Sequence, residues 1–298
     1  MIKKHIIASN YDNLNLDIAI CPAENPKGII QFSHGMAEHK ERYYPFMEYL
    51  SQNGYTCIIN DHRGHGNSIK DEKDLGFFYT ENSNIIANDI AQINKWIHDE
   101  YPDIPVYMFS HSMGTLVARV FMQNHDINID KLILCGPPTE NLLVGIGIAA
   151  AKLNSRIYGD HNRSNFLNFL AFGLYDSFEG EENSWICSNK EIVSAYNNDP
   201  LCHYRFTANG FLNLFNLVKL SFIDKNYSCN NPNLPILLIA GEKDPVIRSK
   251  NKFNHLKKFL SNVGYTDIST KLYKDKRHEL INEIDCEIIW NDILNFYN

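Results

Sequence analysis

A chain of 298 residues with 44% hydrophobic content is long enough to bury a sizeable core, which sets disorder aside. Its formal charge of −7 comes without any Lys/Arg-rich block, so it lacks the electrostatic footprint of a nucleic-acid binder and suits a small neutral or amphiphilic partner. The seven cysteines are odd in number and never spaced C-x-x-C, which fits reduced thiols better than a disulfide framework or a zinc site.

The N-terminus carries Lys3 and Lys4 but too short an apolar run for a signal peptide. No stretch approaches the ~18 apolar residues of a membrane span, and a cytoplasmic location is expected. Residues 2–8 and 14–20, joined by the turn-rich Ser9-Asn10-Tyr11-Asp12-Asn13, read as two antiparallel strands. Short apolar strands follow at 28–32, 56–60, 106–109, 131–135, 236–240 and 269–273. Helical patterns at 42–52, 85–100, 115–124, 250–262 and 279–296 lie between or after them. Alternation of this kind predicts parallel strands with crossover helices, hence a doubly wound, mostly parallel α/β sheet. In the last helical pattern Leu280, Ile284, Ile288, Ile293 and Phe296 form a one-sided apolar stripe. The rhythm breaks after Pro137-Pro138 and resumes near Pro232. Residues 138–231 are therefore expected to form an inserted helical cap, with 1–137 and 232–298 as the two parts of the core.

The chemistry centres on Phe109-Ser110-His111-Ser112-Met113-Gly114. A serine between a strand and a helix, flanked by small residues, is the pattern of a strained nucleophile elbow. Position 110 holds Ser where Gly is usual, so the pattern needs partners elsewhere in the chain. A serine hydroxyl is a poor nucleophile at neutral pH and requires a base, which in turn requires an acid to fix its tautomer. His278 follows the last predicted strand, where a loop at the carboxyl edge of the sheet would bring its imidazole over the elbow. Asp244 follows the strand at 236–240 and can face the His278 Nδ1; Glu242 and Asp275 are the rival acids. His98, His125 and His255 fall within or at the ends of predicted helices and are set aside. Two backbone N–H groups are needed for the oxyanion. Met113, next to the nucleophile, offers one, and Met36 in Ser33-His34-Gly35-Met36 offers the other. The run Asp61-His62-Arg63-Gly64-His65-Gly66-Asn67-Ser68 matches no phosphate loop or dinucleotide fingerprint and reads as a hydrogen-bonded buttress.

With these pieces together, the chain resembles the α/β-hydrolase superfamily, in particular the serine aminopeptidase S33, lysophospholipase and monoacylglycerol lipase branch. The resemblance rests on His34-Gly35-Met36-Ala37-Glu38-His39 with Arg42-Tyr43, on residues 61–68, on His111-Ser112-Met113-Gly114, and on Gly241-Glu242-Lys243-Asp244 with Arg277-His278-Glu279-Leu280. Asn198-Asp199-Pro200-Leu201 resembles the return from cap to core. The resemblance implies Ser112 as nucleophile, His278 as base, Asp244 as orienting acid, and Met36 and Met113 as oxyanion donors. It also implies Glu38 and Arg42 as polar contacts at the alcohol side of the substrate, with a plain ion pair as the alternative for these two.

The expected reaction is hydrolysis of a carboxylic ester through an acyl-enzyme, with no metal or organic cofactor. Small apolar residues at 144–151 and the aromatic run Phe166, Leu167, Phe169, Leu170, Phe172 suit a lid over an acyl chain. Monoacylglycerol- or lysophospholipid-like lipids, or short to medium acyl esters, are the expected substrates, with transient membrane contact through the cap. An acyltransferase or perhydrolase would use the same triad. An aminopeptidase would hold its amine on cap carboxylates such as Glu179, Glu181 and Glu182. A non-catalytic binding module on the same fold is the remaining alternative.

Overall fold

The computed structural model describes every residue except 174, 176, 177 and 179–181. Among the described residues eight strands make one sheet: β1 (Lys3–Ala8), β2 (Asn15–Cys21), β3 (Gly28–Ser33), β4 (Tyr55–Asn60), β5 (Val106–His111), β6 (Lys131–Cys135), β7 (Ile236–Gly241) and β8 (Ile268–Tyr273). They lie in the order β1-β2-β4-β3-β5-β6-β7-β8, with β2 antiparallel to both its neighbours, β1 and β4, and every other pairing parallel. The expected doubly wound sheet is thus observed.

Period-2 alternation divides the sheet between two apolar layers. In β6, Leu132 and Leu134 face one core, while Ile133 and Cys135 face the other. The first core is covered by α2 (Asn84–Glu100), α3 (Met113–His125) and α8 (Lys250–Asn262), the second by α1 (Tyr44–Gln52) and α9 (Cys286–Tyr297). Along α2, Ile86, Ile90, Ile93 and Ile97 recur at helical spacing, and all are buried. Each such isoleucine is worth about 1.5–3 kcal/mol relative to an exposed one, so this stripe fixes the helix to the sheet.

The chain leaves β3 toward β4 on one side and returns to β5 on the other. The carboxyl ends of β3 and β5 therefore flank the point where strand order reverses, the crevice in which open α/β sheets bind ligands. Between β6 and β7 lie α4 (Val144–Tyr158), α5 (Asn165–Phe172), α6 (Lys190–Asn198) and α7 (Ala208–Leu220).

Two helices differ from the sequence expectation. The first begins as a 3-10 turn, Lys40–Tyr43, and becomes α1 only at Tyr44. Lys40 is drawn inward there, its ammonium on Asp17 at 2.8 Å and on Asp61 at 2.6 Å. The expected helix at 279–296 is broken. Leu280–Asn282 is a 3-10 turn, Asp285 has φ 59°, and α9 starts at Cys286. Glu279 is held by Arg42 and Glu283 accepts from the Arg277 N–H, so both carboxylates pin the segment outside a helix. The break rotates the predicted stripe. Ile284 and Ile288 turn outward and Ile289 fills the core instead, while Leu280 and Ile293 of the predicted stripe are buried as expected.

Candidate active site

Ser112 directly follows β5 with φ 52° and ψ −120°, a backbone state that non-glycine residues rarely adopt and that costs on the order of 1–3 kcal/mol. Its N–H donates to the Cys135 carbonyl at 2.9 Å, and α3 starts at the next residue. Gly114 explains why the turn is so tight: a Cβ there would lie 2.0 Å from the Ser33 carbonyl oxygen. Ser110 fits in place of glycine because its hydroxyl donates to the Ile133 carbonyl at 2.8 Å. Thr115 likewise donates to the Ser112 carbonyl at 2.7 Å.

The loop after β3 is held from beneath by a histidine relay. The His62 N–H donates to His34 Nε2 at 2.9 Å, so His34 carries its proton on Nδ1 and donates it to the Gly35 carbonyl at 2.8 Å. In a trans peptide the C=O and the following N–H point in opposite directions. Anchoring the Gly35 carbonyl thus sets the direction of the Met36 N–H. Among the described residues no turn or loop carbonyl takes the N–H of Met36 or of Met113, and both residues line one cavity with Ser112. Burial pushes the imidazoles of His62 down to about 3 and of His65 to about 4, and holds His34 well below its ordinary value. The relay is therefore neutral. Residues 61–68 form the buttress foreseen in the sequence, with Asp61 accepting from Lys40 N and Asn67 N, and buried Arg63 bound to Asp89.

His278 Nδ1 meets Asp244 Oδ2 at 2.9 Å, and both side chains are buried. Asp244 Oδ1 also accepts from the Val246 N–H at 2.8 Å, which fixes the carboxylate. Glu242 is exposed and Asp275 pairs with Lys243 at the surface, so neither rival acid reaches the imidazole. Gly136, at φ 57°, leaves room for the ring: a Cβ there would come within 2.9 Å of it. Ser112 and His278 line the same cavity, but the hydrogen bond between them is not formed here. Such bonds are often long in unliganded sites and tighten with substrate.

Glu38 is a hub. It accepts from the Gly35 N–H, from Tyr43 Oη at 2.9 Å, from His111 Nδ1 at 3.2 Å and from Arg42 Nη1 at 2.8 Å. Burial opposes its charge, yet the His111 hydrogen bond and Arg42 hold the carboxyl well below the usual range. Arg42 makes a two-pronged pair with Glu279, both contacts 2.7 Å, and stacks on Tyr196. It does not line the cavity, which places this guanidinium behind Glu38 and Glu279 as a buried ion pair rather than on substrate. Glu279 itself, His111 against the His278 ring at 4.7 Å, and Trp185 against it at 5.3 Å are neighbours that sequence reasoning did not single out. The only signal was that Glu279 and His111 sit inside the runs holding His278 and Ser112.

The cavity encloses about 350 Å³. Its wall includes Glu38, Ser112 and His278, the apolar side chains of Leu116, Leu170, Phe172, Leu214 and Phe215, and polar ones such as Asn141, Asn165, Asn168 and Arg248. Glu182 lines it too, bound to His203; Glu179 and Glu181 lie outside the described residues.

A sheet of this order, launching a helix from a serine of positive φ, is the architecture of the α/β-hydrolases. A model of the family described as serine aminopeptidase, S33, matches residues 24–285, and the chain belongs to that family. The chain is 28% identical to a monoglyceride lipase of Rattus norvegicus over 88% of its own length and 79% of the relative's. It is 24% identical to a monoacylglycerol lipase of Mycolicibacterium smegmatis over 92% and 89% of the two chains. Among solved structures, a thermostable carboxyl esterase from Bacillus coagulans in complex with glycerol superposes with a TM-score of 0.88 at 25% identity, covering 100% of this chain and 98% of the other.

Proposed function

We propose that this protein hydrolyses carboxylic esters of small amphiphilic lipids, of the monoacylglycerol or lysophospholipid kind, or with short to medium acyl chains. The observation that carries the reading is the buried His278–Asp244 pair, its imidazole sharing with Ser112 the wall of a cavity that has both polar and apolar lining, as an amphiphile requires. Relatives named as monoglyceride lipases support the same substrate class.

In the proposed mechanism Asp244 holds His278 with its proton on Nδ1, leaving Nε2 to take the Ser112 proton as Oγ attacks the ester carbonyl. The Met36 and Met113 N–H groups receive the oxyanion; each such donor is worth about 3–4 kcal/mol of barrier. His278 then protonates the departing alcohol. Water, deprotonated by the same imidazole, releases the fatty acid from Ser112. No cofactor enters these steps. Glu38 lines the wall near Ser112 and is the group placed to meet the alcohol, with Arg42 holding its charge.

Residues 138–231 act as a cap. Leu142, Leu143, Ile146, Leu153, Ile157, Phe166 and Phe169 on or beside α4 and α5 are exposed, an apolar face suited to transient contact with a lipid surface. Among the described residues no helix is long and apolar enough to cross a membrane. An aminopeptidase reading is less favoured, since Glu182, the described one of the three cap carboxylates that would hold an amine, is already engaged by His203.

The test is a panel of p-nitrophenyl esters of graded chain length beside monoacylglycerols, lysophospholipids and aminoacyl amides, run with native protein and Ser112→Ala. Ester turnover that rises beyond acetate and vanishes in the variant supports the reading. Activity that survives Ser112→Ala, or that is confined to amides, overturns it.

A further inference from the structure

Away from Ser112, the return from α6 to α7 brings two metal-ligating side chains against the loop that follows β3. His39 Nε2 lies 2.9 Å from Asp199 Oδ2, and Cys202 Sγ completes three donor atoms within 4.8 Å of one another. His39 and Cys202 are buried, while the Asp199 side chain is 30% exposed and gives the cluster a face toward solvent. The surrounding charge favours a cation. Asp199, Glu38 and Glu279 set three carboxylates around Cys202, against the single guanidinium of Arg42.

We propose that His39, Asp199 and Cys202 form a binding site for a borderline-soft divalent cation of the Zn²⁺ kind. An imidazole nitrogen, a carboxylate oxygen and a thiolate are the donor set that zinc takes, whereas Mg²⁺ and Ca²⁺ avoid sulfur. Tetrahedral zinc bonds of about 2.0–2.3 Å put ligand atoms roughly 3.3–3.7 Å apart. His39 and Asp199 need to open by a few tenths of an ångström, and the Cys202 sulfur to close by about 1 Å. On binding, the Cys202 thiol gives its proton to solvent, and His39, whose Nε2–H donates to Asp199 in the metal-free protein, shifts to the Nδ1–H tautomer by proton exchange with water and so frees the Nε2 lone pair; a water takes the fourth position on the Asp199 side. The bound ion would bolt the α6–α7 return to the loop carrying Gly35 and Glu38. This site stands apart from the ester-hydrolase reading, and its occupancy is measured without substrate.

The test uses the full chain, reduced and chelator-treated, in a background of Cys229→Ser and Cys286→Ser that removes the two half-buried thiols. Titration with Cd²⁺ is expected to give a thiolate-to-metal charge-transfer band that saturates at one equivalent. Zn²⁺ displaces the Cd²⁺ and raises Tm, and Mg²⁺ does neither. Adding Cys202→Ser abolishes the band, and Asp199→Asn lowers Zn²⁺ affinity at least tenfold. Absence of the band in the parent, or its survival in Cys202→Ser, overturns the proposal. Should Cys202→Ser fail to fold, Asp199→Asn decides: unchanged Zn²⁺ affinity overturns the site, and a tenfold loss supports it.

Discussion

His278 Nδ1 and Asp244 Oδ2 sit 2.9 Å apart, brought together by the loops after β8 and β7, with the carboxylate fixed on its other oxygen by the Val246 N–H. The tautomer of His278 thereby depends on a single side chain.

Asp244→Asn keeps the shape but presents an amide to Nδ1, which favours the wrong tautomer. A fall in kcat of about 10⁴ with little change in KM is expected, measured on a p-nitrophenyl ester at saturation. A loss under tenfold would show that Asp244 does not orient the base.

His34 is expected to act through the Gly35–Met36 peptide rather than on substrate. His34→Ala frees the Gly35 carbonyl and lets the Met36 N–H turn away, so kcat should drop by up to the roughly 10²–10³ of a lost oxyanion donor while KM holds. Binding of an alkyl boronic acid, which makes a tetrahedral adduct with serine, should weaken in parallel. A rise in KM at constant kcat contradicts this role.

Glycines at two positions should respond in opposite ways. Gly114→Ala forces a methyl against the Ser33 and His34 carbonyls and should destabilise by about 1–3 kcal/mol or more. Gly145→Ala, on α4 with no neighbouring atom in reach, should gain about 0.4–1 kcal/mol through chain entropy and helix propensity. Urea unfolding of both variants checks the pair; equal shifts would mean that the elbow is not close-packed.

Stability should fall on the acid side of neutrality. Buried His62 and His65 titrate at about 3 and about 4 when folded, against 6.5 when exposed, so below 6.5 the unfolded chain takes up protons that the folded chain refuses. Their contribution is complete above 6.5 and is lost as the pH falls, that of His65 toward about 4 and that of His62 toward about 3. His34 acts in the same direction. His111 acts in reverse: burial opposes its charge, but Glu38 holds its pKa above 6.5, so its contribution is full below 6.5 and lost as the pH rises through the folded value. With His125 also lowered by burial, four lowered imidazoles outweigh one raised. The urea midpoint, followed from about pH 7.5 to about pH 4.5, should therefore decline, and His65→Gln should flatten the decline by one proton's share. A flat native profile would sink the neutral-relay description.

Much of this architecture can be read along the chain. Strand and helix periodicity depend on neighbours within a few residues, so the alternation that defines the sheet is written locally, as is the close-packed turn around Ser112 and Gly114. His278 and Asp244 stand out because each directly follows a strand and the carboxyl edge of a parallel sheet gathers such loops. Arg42 meeting Glu279 across 237 positions leaves no local trace, and neither does Trp185 over His278. The interruption at Asp285, which turned Ile284 and Ile288 to solvent, follows from carboxylates bound by partners remote in the chain, Glu279 by Arg42 and Glu283 by the Ser188 N–H. His39, Asp199 and Cys202 become neighbours only when the α6–α7 return lies against the β3 loop. Charge pairing and ligand clusters are properties of distances in space, and packing of the layers sets those distances.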